Sequence, residues 1–273
     1  MVDAVATSID EKVSIIMPAF NCSAFIEAAV ESVFSQSYTN WELLICDDDS
    51  TDNTKEIIDS LAIADERVSV VINTEGTGAA SARNSCLKVA SGRYVAFLDS
   101  DDQWAEYKLE LQVEALKKGA HFCLTDYYVM SEAGDIEGLI NAPVSLNFRL
   151  MLLSNFIGCL TVMYDTQYFG KVVQPSLKKR NDYALWLKML RSKPSANIVA
   201  VTQPLAYYRA NSYGLSSNKI DALRYYWICI RKYGNVGLVQ ALCLVPVYLI
   251  IIFIKKKNPR LYKFILTLMG ALI

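Results

Sequence analysis

Two acidic clusters of the sequence each follow a short apolar run, at residues 47–52 (DDDSTD) and 99–102 (DSDD). Ligands of open α/β sheets bind at the carboxyl ends of the strands, so we expect both clusters to meet at one crevice. The seven carboxylates of these clusters repel one another there unless a cation or hydrogen-bond donors offset them. A divalent ion with oxygen ligands, Mg²⁺ or Mn²⁺, does so directly. Capping of the following helix is an alternative for members of the first cluster.

A glycine-containing loop lies between the two clusters and runs into a helix of small residues at 73–84. Such a loop allows the backbone to approach a ligand closely, and Arg83 could offset negative charge or contact a base or a phosphate. The loop has neither the Gly-Lys-Ser/Thr ending of a Walker A motif nor the GxGxxG spacing after the first strand. ATPase and ordinary dinucleotide-binding functions are therefore disfavoured.

Asp182 is one of two acids after residue 170, and it follows the basic run 178–180. Basic neighbours keep a carboxylate ionised, which suits a group that accepts a proton from a hydroxyl nucleophile. A partnership with the N-terminus of its own helix is an equal alternative. The run Tyr207-Tyr208-Arg209 could contact a phosphate or simply end a strand. The one histidine, His121, excludes Ser-His-Asp triads and HExxH zinc sites.

The elements that must position these residues alternate between short apolar runs and amphipathic ones. Strands are predicted at 13–18, 42–46, 68–72 and 94–98, with helices at 23–36, 52–64 and 79–90 between them. This order predicts an α/β domain with a mixed, mainly parallel sheet that helices cover on both faces. Further predicted elements are a helix at 104–118, a strand at 121–130, a loop at 131–144, helices at 145–154 and 182–191, and strands at 197–201 and 205–208.

The net charge of −1 hides a division along the chain. Residues 1–170 hold 10 Lys and Arg against 26 Asp and Glu, whereas residues 171–273 hold 17 against 2. The acidic part suits a divalent cation, and the basic part suits phosphate or an anionic lipid surface. The seven cysteines show no CxxC spacing, so they are expected to be reduced core residues. Acids within residues 3–11 interrupt any export signal, so none is predicted.

Residues 236–254 carry no charge, and as a helix they would be about 28 Å long. Basic groups flank them at 231–232 and 255–257, and a simple crossing would place only one group on the cytoplasmic side. We therefore expect Pro246 to break the helix, giving a re-entrant or in-plane arrangement with 260–273 as a second interfacial element. An apolar helix buried in a core or a dimer interface is the alternative.

Six ordered motifs link these observations to a known family. They are VSIIMPAFN (13–21), ICDDDSTDNT (45–54), GAASARN (78–84), GRYVAFLDSDD (92–102), NDYALWLKM (181–189) and YYRANSYGLSS (207–217). Over residues 12–215 the chain resembles the family 2 glycosyltransferases, which are nucleotide-sugar-dependent enzymes of GT-A fold. The resemblance is nearest to bacterial enzymes that build O-antigen, capsule or other surface polysaccharide on a lipid carrier.

The resemblance implies a role for each matching position. The donor, a UDP-sugar, would be bound by Pro18, Ala19, Phe20, Asn21, Asp47, Asp49, Arg83, Asp99, Ser100 and Arg209. Asp101 and Asp99 would hold the Mn²⁺ or Mg²⁺, and Asp182 would be the general base. Two positions depart from the family pattern: Asp49 stands where a DDGS motif has its glycine, and Asn181 replaces the acid of the frequent Glu-Asp pair.

The same resemblance implies a domain plan and a reaction. Residues 1–216 would form the GT-A domain, with a donor half at 12–104 and an acceptor half at 105–216, and residues 217–273 a helical membrane-associating region. The enzyme would transfer sugar with inversion to a hydroxyl of a polyprenyl-diphosphate-linked saccharide. It would lie at the cytoplasmic face of the bacterial inner membrane, peripheral or monotopic, with no nucleic-acid partner.

Two other functions remain open on the sequence. A nucleotidyltransferase that makes nucleotide sugars would need a Gly-rich, Lys/Arg-bearing triphosphate loop near the first strand, and residues 18–21 are not such a loop. A non-catalytic component that binds nucleotide sugar would not need Asp99, Asp101 and Asp182 to be intact.

Overall fold

The computed structural model describes residues 11–210 and 219–258, together with 261, 262 and 265. The strands in this part of the chain are β1 (Val13–Ala19), β2 (Trp41–Asp47), β3 (Val68–Val70), β4 (Tyr94–Phe97), β5 (Gln103–Trp104), β6 (Phe122–Met130), β7 (Ile136–Ile140), β8 (Met163–Asp165) and β9 (Ile198–Arg209). They form one sheet in the order β3-β2-β1-β4-β8-β6-β9-β5, and β7 pairs with β6.

The helices are α1 (Ile26–Phe34), α2 (Thr54–Ala64), α3 (Ala79–Val89), α4 (Lys108–Lys117), α5 (Phe148–Leu153), α6 (Thr166–Phe169), α7 (Asn181–Ser192), α8 (Lys219–Ile228) and α9 (Leu238–Lys257). A 3₁₀ turn at Cys159–Thr161 precedes β8, and a π-helical turn at Cys229–Tyr233 follows α8. Helices α1 to α3 connect successive parallel strands, as the alternating apolar pattern predicts.

The first half of the sheet is parallel, and it is buried on both faces. Successive residues of β1 enter opposite layers of the core: Ile15 and Met17 lie in one layer and Ile16 in the other. A continuous apolar run is the pattern that such two-sided burial requires. The predicted α/β class is therefore confirmed, and the carboxyl ends of β1, β2 and β4 lie side by side.

The second half of the sheet is mixed. Strand β8 runs antiparallel to β4 and β6, whereas β6 and β9 are parallel. Four predictions need correction here. Trp104 lies in β5 and not in a helix, the predicted loop contains β7, the two predicted late strands form the single strand β9, and β8 was not predicted. Strand β5 forms because residues 103–104 pair with β9, an interaction that a local pattern does not contain.

The C-terminal helices pack on the core layer that contains α7. Tyr226 of α8 and Ala241 and Tyr248 of α9 are buried in that layer. Among the described residues, α9 is the helix long and apolar enough to cross a membrane. The break expected at Pro246 is absent, because α9 continues through it. The predicted domain boundary at 216/217 and most of the predicted element at 260–273 lie outside the described residues.

Candidate active site

The loops that follow β1 and β2 are joined by Asn21. Its backbone N–H donates to Ser50 Oγ at 2.9 Å, and its side-chain Oδ1 accepts the N–H of Thr51 at 2.8 Å. Pro18 and Ala19 pair in register with the last residues of β2, and Phe20 projects into solvent. The strand ends of the first half therefore form one connected rim.

Within this rim, the first acidic cluster is engaged by its own loops. The Asp47 carboxylate accepts the N–H and the hydroxyl of Ser50. Asp48 accepts Asn73 Nδ2 at 2.8 Å and the N–H of Gly78 at 2.6 Å, so it orders the glycine-containing loop. Asp48 was not among the predicted site residues, because the sequence does not distinguish it from the aspartates on either side.

Asp52 completes this pattern by accepting the N–H of Thr54 at 3.0 Å and that of Ser23 at 3.1 Å. Among the described residues, no three His, Cys, Asp or Glu side chains are grouped closely enough to hold a metal ion. Of the two ways to offset these charges, hydrogen-bond donors and a cation, the first applies to Asp47, Asp48 and Asp52. Hydrogen bonds from the loops satisfy most of the first cluster, and capping explains Asp52.

Asp49 has a left-handed backbone, with φ at +61°. Glycine adopts this conformation without steric cost, whereas a side chain brings Cβ close to the backbone. This geometry gives a physical reason for the glycine that the DDGS pattern places here. Aspartate is one of the residues that tolerate the conformation best, which is consistent with its presence in this chain.

Arg83 brings a buried positive charge to the site. Small residues let α3 pack against β1 and β2 along almost its whole length, and this packing buries the Arg83 side chain to 6% exposure. Its Nη2 forms an ion pair with Asp99 Oδ1. Burial lowers the pKa of Arg83, but the charges of Asp99 and Asp182 raise it by more, so the guanidinium stays charged.

The second acidic cluster lies at the end of β4. Ser100 is buried, and Asp102 is almost fully buried. Burial raises the pKa of Asp102 well above its usual value, and the charges of Asp101 and Asp99 raise it further. Asp102 Oδ1 accepts the backbone N–H of Arg209 at 2.9 Å, which fixes this loop to the end of β9.

Arg209 holds the same loop from the other side. Its Nε donates to the Asp101 carbonyl at 2.9 Å, and its Nη1 donates to the carbonyls of Glu132 at 2.7 Å and Ser131 at 3.3 Å. The guanidinium also lies over the ring of Phe25. Arg209 thus positions the acidic loop through backbone oxygens. Its contact with the phosphates of a donor stays a prediction.

Asp182 lies in the first turn of α7. Asn155 Nδ2 donates to its Oδ2 at 3.0 Å. Burial raises the pKa of Asp182, while the N–H of Tyr183 and the charges of Arg83 and Arg180 act in the opposite direction. A carboxylate whose pKa is raised towards neutrality is a better proton acceptor than an ordinary one, provided that it stays ionised.

The charges of Asp182 and of the second acidic cluster act together on two further side chains, Tyr208 and Cys159. Burial raises the pKa of Tyr208, and the charges of Asp102, Asp101, Asp99 and Asp182 raise it further. Burial likewise raises the pKa of Cys159, and three of these acids add to the effect. Arg83 forms an ion pair with Asp99, and its charge also acts on Asp182, so the late acid and the acidic loop lie near the same guanidinium.

The donor set at this space fits a divalent cation that is shared with a substrate. Asp99 and Asp101 would supply carboxylate oxygens. Mg²⁺ typically takes one or two protein carboxylates and completes its shell with water and substrate phosphates. The residues present therefore suit a cation that is bound together with a diphosphate.

Comparison with known proteins decides the family. The model of glycosyl transferase family 2 matches residues 14–167, more than half of the chain. The chain belongs to glycosyl transferase family 2. This family 2 glycosyltransferase is 40% identical to TuaG of Bacillus subtilis, which is named as a teichuronic acid biosynthesis glycosyltransferase, over 84% of this chain and 91% of TuaG.

A second relative of this family 2 glycosyltransferase is named for its substrates. WfgD of Escherichia coli is a UDP-Glc:α-D-GlcNAc-diphosphoundecaprenol β-1,3-glucosyltransferase, 41% identical over 80% of this chain and 85% of WfgD. Among solved structures, S. aureus TarS 1–349 in complex with UDP-GlcNAc matches with a TM-score of 0.65 at 20% identity. That match covers 87% of this chain and 71% of TarS 1–349, and it supports the GT-A fold.

The left-handed backbone at residue 49 gives a stability prediction. Alanine is normally favoured over glycine by about 0.5–1 kcal/mol because it restricts the unfolded chain. At this position we expect the reverse: Asp49→Gly should be more stable than Asp49→Ala by about 1 kcal/mol, since only glycine adopts the conformation freely. Urea unfolding of both variants measures the difference. An alanine variant at least as stable as the glycine variant contradicts this description of the loop.

Proposed function

We propose that this enzyme transfers a sugar from a UDP-sugar to a hydroxyl of a polyprenyl-diphosphate-linked saccharide, with inversion, in bacterial surface polysaccharide synthesis. The observation that carries the proposal is the buried Arg83, which forms an ion pair with Asp99 of the acidic loop and whose charge also acts on Asp182. The substrates named for WfgD support a UDP-sugar donor and a lipid-linked acceptor.

The donor would occupy the rim formed by the ends of β1, β2 and β4. Its binding residues would be Pro18, Ala19, Phe20, Asn21, Asp47, Asp49, Arg83, Asp99, Ser100 and Arg209. A Mn²⁺ or Mg²⁺ ion held by Asp101 and Asp99 would supply positive charge to the diphosphate when bound. Arg83 would act on the donor side by holding Asp99 in place through their ion pair.

Asp182 would accept the proton of the acceptor hydroxyl. The oxygen then forms a bond to the anomeric carbon of the sugar as the bond from that carbon to the nucleoside diphosphate breaks. The products are the extended saccharide with inverted anomeric configuration, UDP, and a protonated Asp182 that releases its proton to solvent. Orientation and electrostatic stabilisation carry the catalysis, and no covalent enzyme intermediate is required.

The C-terminal helices would hold the enzyme at the membrane that contains its acceptor. One face of α9 packs on the catalytic domain through Ala241, Tyr248 and Ile251, whereas apolar side chains including Leu242 and Phe253 are exposed. A helix packed in this way suits an in-plane position better than a crossing. The basic groups at both of its ends would then meet anionic headgroups at the cytoplasmic face of the inner membrane.

The assigned base can be tested by substitution. We expect Asp182→Asn to lower turnover about 10²- to 10⁴-fold, because the amide cannot accept the hydroxyl proton. The assay measures UDP release from a panel of UDP-sugars with Mn²⁺ and membranes that contain the acceptor. Wild-type activity should fall as the pH drops through the raised pKa of Asp182, since protonation removes the base.

The matched control for this test is Asp221→Asn. Asp221 of α8 is the other acid after residue 170, and its carboxylate forms an ion pair with Lys179. The turnover of the Asp221→Asn enzyme should stay within about twofold of the wild type. Undiminished turnover by the Asp182 variant would refute the proposed base, and release of pyrophosphate from a nucleoside triphosphate would favour the nucleotidyltransferase alternative.

The membrane contact can be tested on the exposed face of α9. We expect the double substitution Leu242→Glu with Phe253→Glu to abolish binding to vesicles of phosphatidylcholine and phosphatidylglycerol, because it places two charges where apolar side chains would enter the lipid. Co-sedimentation with the vesicles measures the binding. Ile63→Glu, at an exposed apolar position of α2, is the control and should bind as the wild type does. Equal binding by all three proteins would exclude α9 as the membrane contact.

A further inference from the structure

The inner face of α9 contacts the polypeptide just before the proposed base. Tyr248 is 3% exposed, and its ring stacks on Tyr226 with centroids 3.9 Å apart and planes at 9°. Arg180 Nη2 donates to the Tyr248 hydroxyl at 2.7 Å. The stack fixes the ring, so the hydroxyl is presented to the guanidinium at a defined position.

Arg180 is the N-cap residue of α7, immediately before its first residue Asn181. Its backbone is left-handed, with φ at +58°, and its carbonyl accepts the N–H of Ala184 at 3.1 Å in the first turn. When the guanidinium of this N-cap residue is held by a hydrogen bond, its side chain helps to orient the first turn of the helix. Asp182 is two residues further along, within the turn that Arg180 begins.

The positive charge of Arg180 acts on Asp182 as one of several neighbouring groups. On its own segment, the Asp182 carboxylate interacts with Arg180 and Tyr183. The groups that interact with it from other elements are Arg83 of α3, Tyr127 of β6, Asn155, Cys159, Tyr208 of β9 and Cys229 of the π-helical turn. Arg83 and Arg180 are the cations of this set, and they stabilise the ionised form of Asp182.

We propose that Tyr248 is a positioning residue of the transfer reaction: its hydroxyl holds Arg180, and Arg180 in turn fixes the first turn of α7 and the orientation of Asp182. This inference rests on the proposed function, because it takes Asp182 as the base. The helix that we propose to meet the lipid on its outer face thus holds the catalytic residue from its inner face. A shift of α9 would displace the Tyr248 hydroxyl and release Arg180.

Tyr248→Phe tests the proposal, because it removes the hydroxyl and keeps the stacked ring. We expect kcat to fall roughly tenfold, the size of effect of one hydrogen bond to a charged group, while KM for the donor stays within about twofold. The acidic limb of the pH–rate profile should move to higher pH, since a displaced Arg180 stabilises the Asp182 carboxylate less.

Tyr226→Phe is the matched control. It makes the same chemical change in the neighbouring ring of the stack, where the hydroxyl donates to the Leu152 carbonyl at 2.8 Å and not to Arg180. This variant should keep the kcat and the pH profile of the wild type. Equal losses of kcat in the two variants would indicate that the stack only stabilises the fold, and would overturn the proposal.

A double-mutant cycle with Arg180→Met separates direct from indirect effects. If Tyr248 acts through Arg180, the hydroxyl has nothing to hold in the Arg180→Met background, and adding Tyr248→Phe should change kcat by less than about twofold. Additive losses would overturn the proposal. If the wild-type protein transfers no sugar, the proposed function is refuted instead, so the two failures are distinguishable. Arg180→Lys, which keeps the charge, should retain more activity than Arg180→Met.

Discussion

The arrangement of acids depends on one buried positive charge. Asp99 and Asp182 belong to distant segments, and like charges drawn from water into one space repel each other unless a cation offsets them. Arg83 provides that charge from α3, through its ion pair with Asp99 and its electrostatic attraction to Asp182. The two proposed functions, diphosphate binding by the acidic loop and proton acceptance by Asp182, could then lie close together before any substrate arrives.

The fold explains how Arg83 reaches this place. Helix α3 is made of small residues and packs tightly on β1 and β2, so it delivers a long side chain to the carboxyl end of β4. The acidic loop at that strand end is fixed by Asp102 and Arg209, which join it to β9. The acidic loop is thus attached to β4 on one side and to β9 on the other, as a preorganised site requires.

The sequence alone predicts the parallel half of the sheet well, because each strand and helix there has a local periodicity. It fails where pairing between distant segments decides the structure, as at Trp104, whose strand exists only beside β9. The sequence singles out Asp99 and Asp101 because they follow an apolar strand, and it singles out Asp182 because this acid lies in a basic segment. Asp48 could not, since its role comes from contacts across the fold with Asn73 and Gly78.

The charge of Arg83 can be tested most directly through the pKa of Asp182. Carboxyl-carbon NMR titration of labelled aspartates would compare the wild-type protein with Arg83→Met, after circular dichroism has established that the variant is folded. Because the guanidinium stabilises the ionised carboxylate, the account predicts that the pKa of Asp182 is higher in the variant than in the wild type. An unchanged pKa of Asp182 in a folded variant would contradict it.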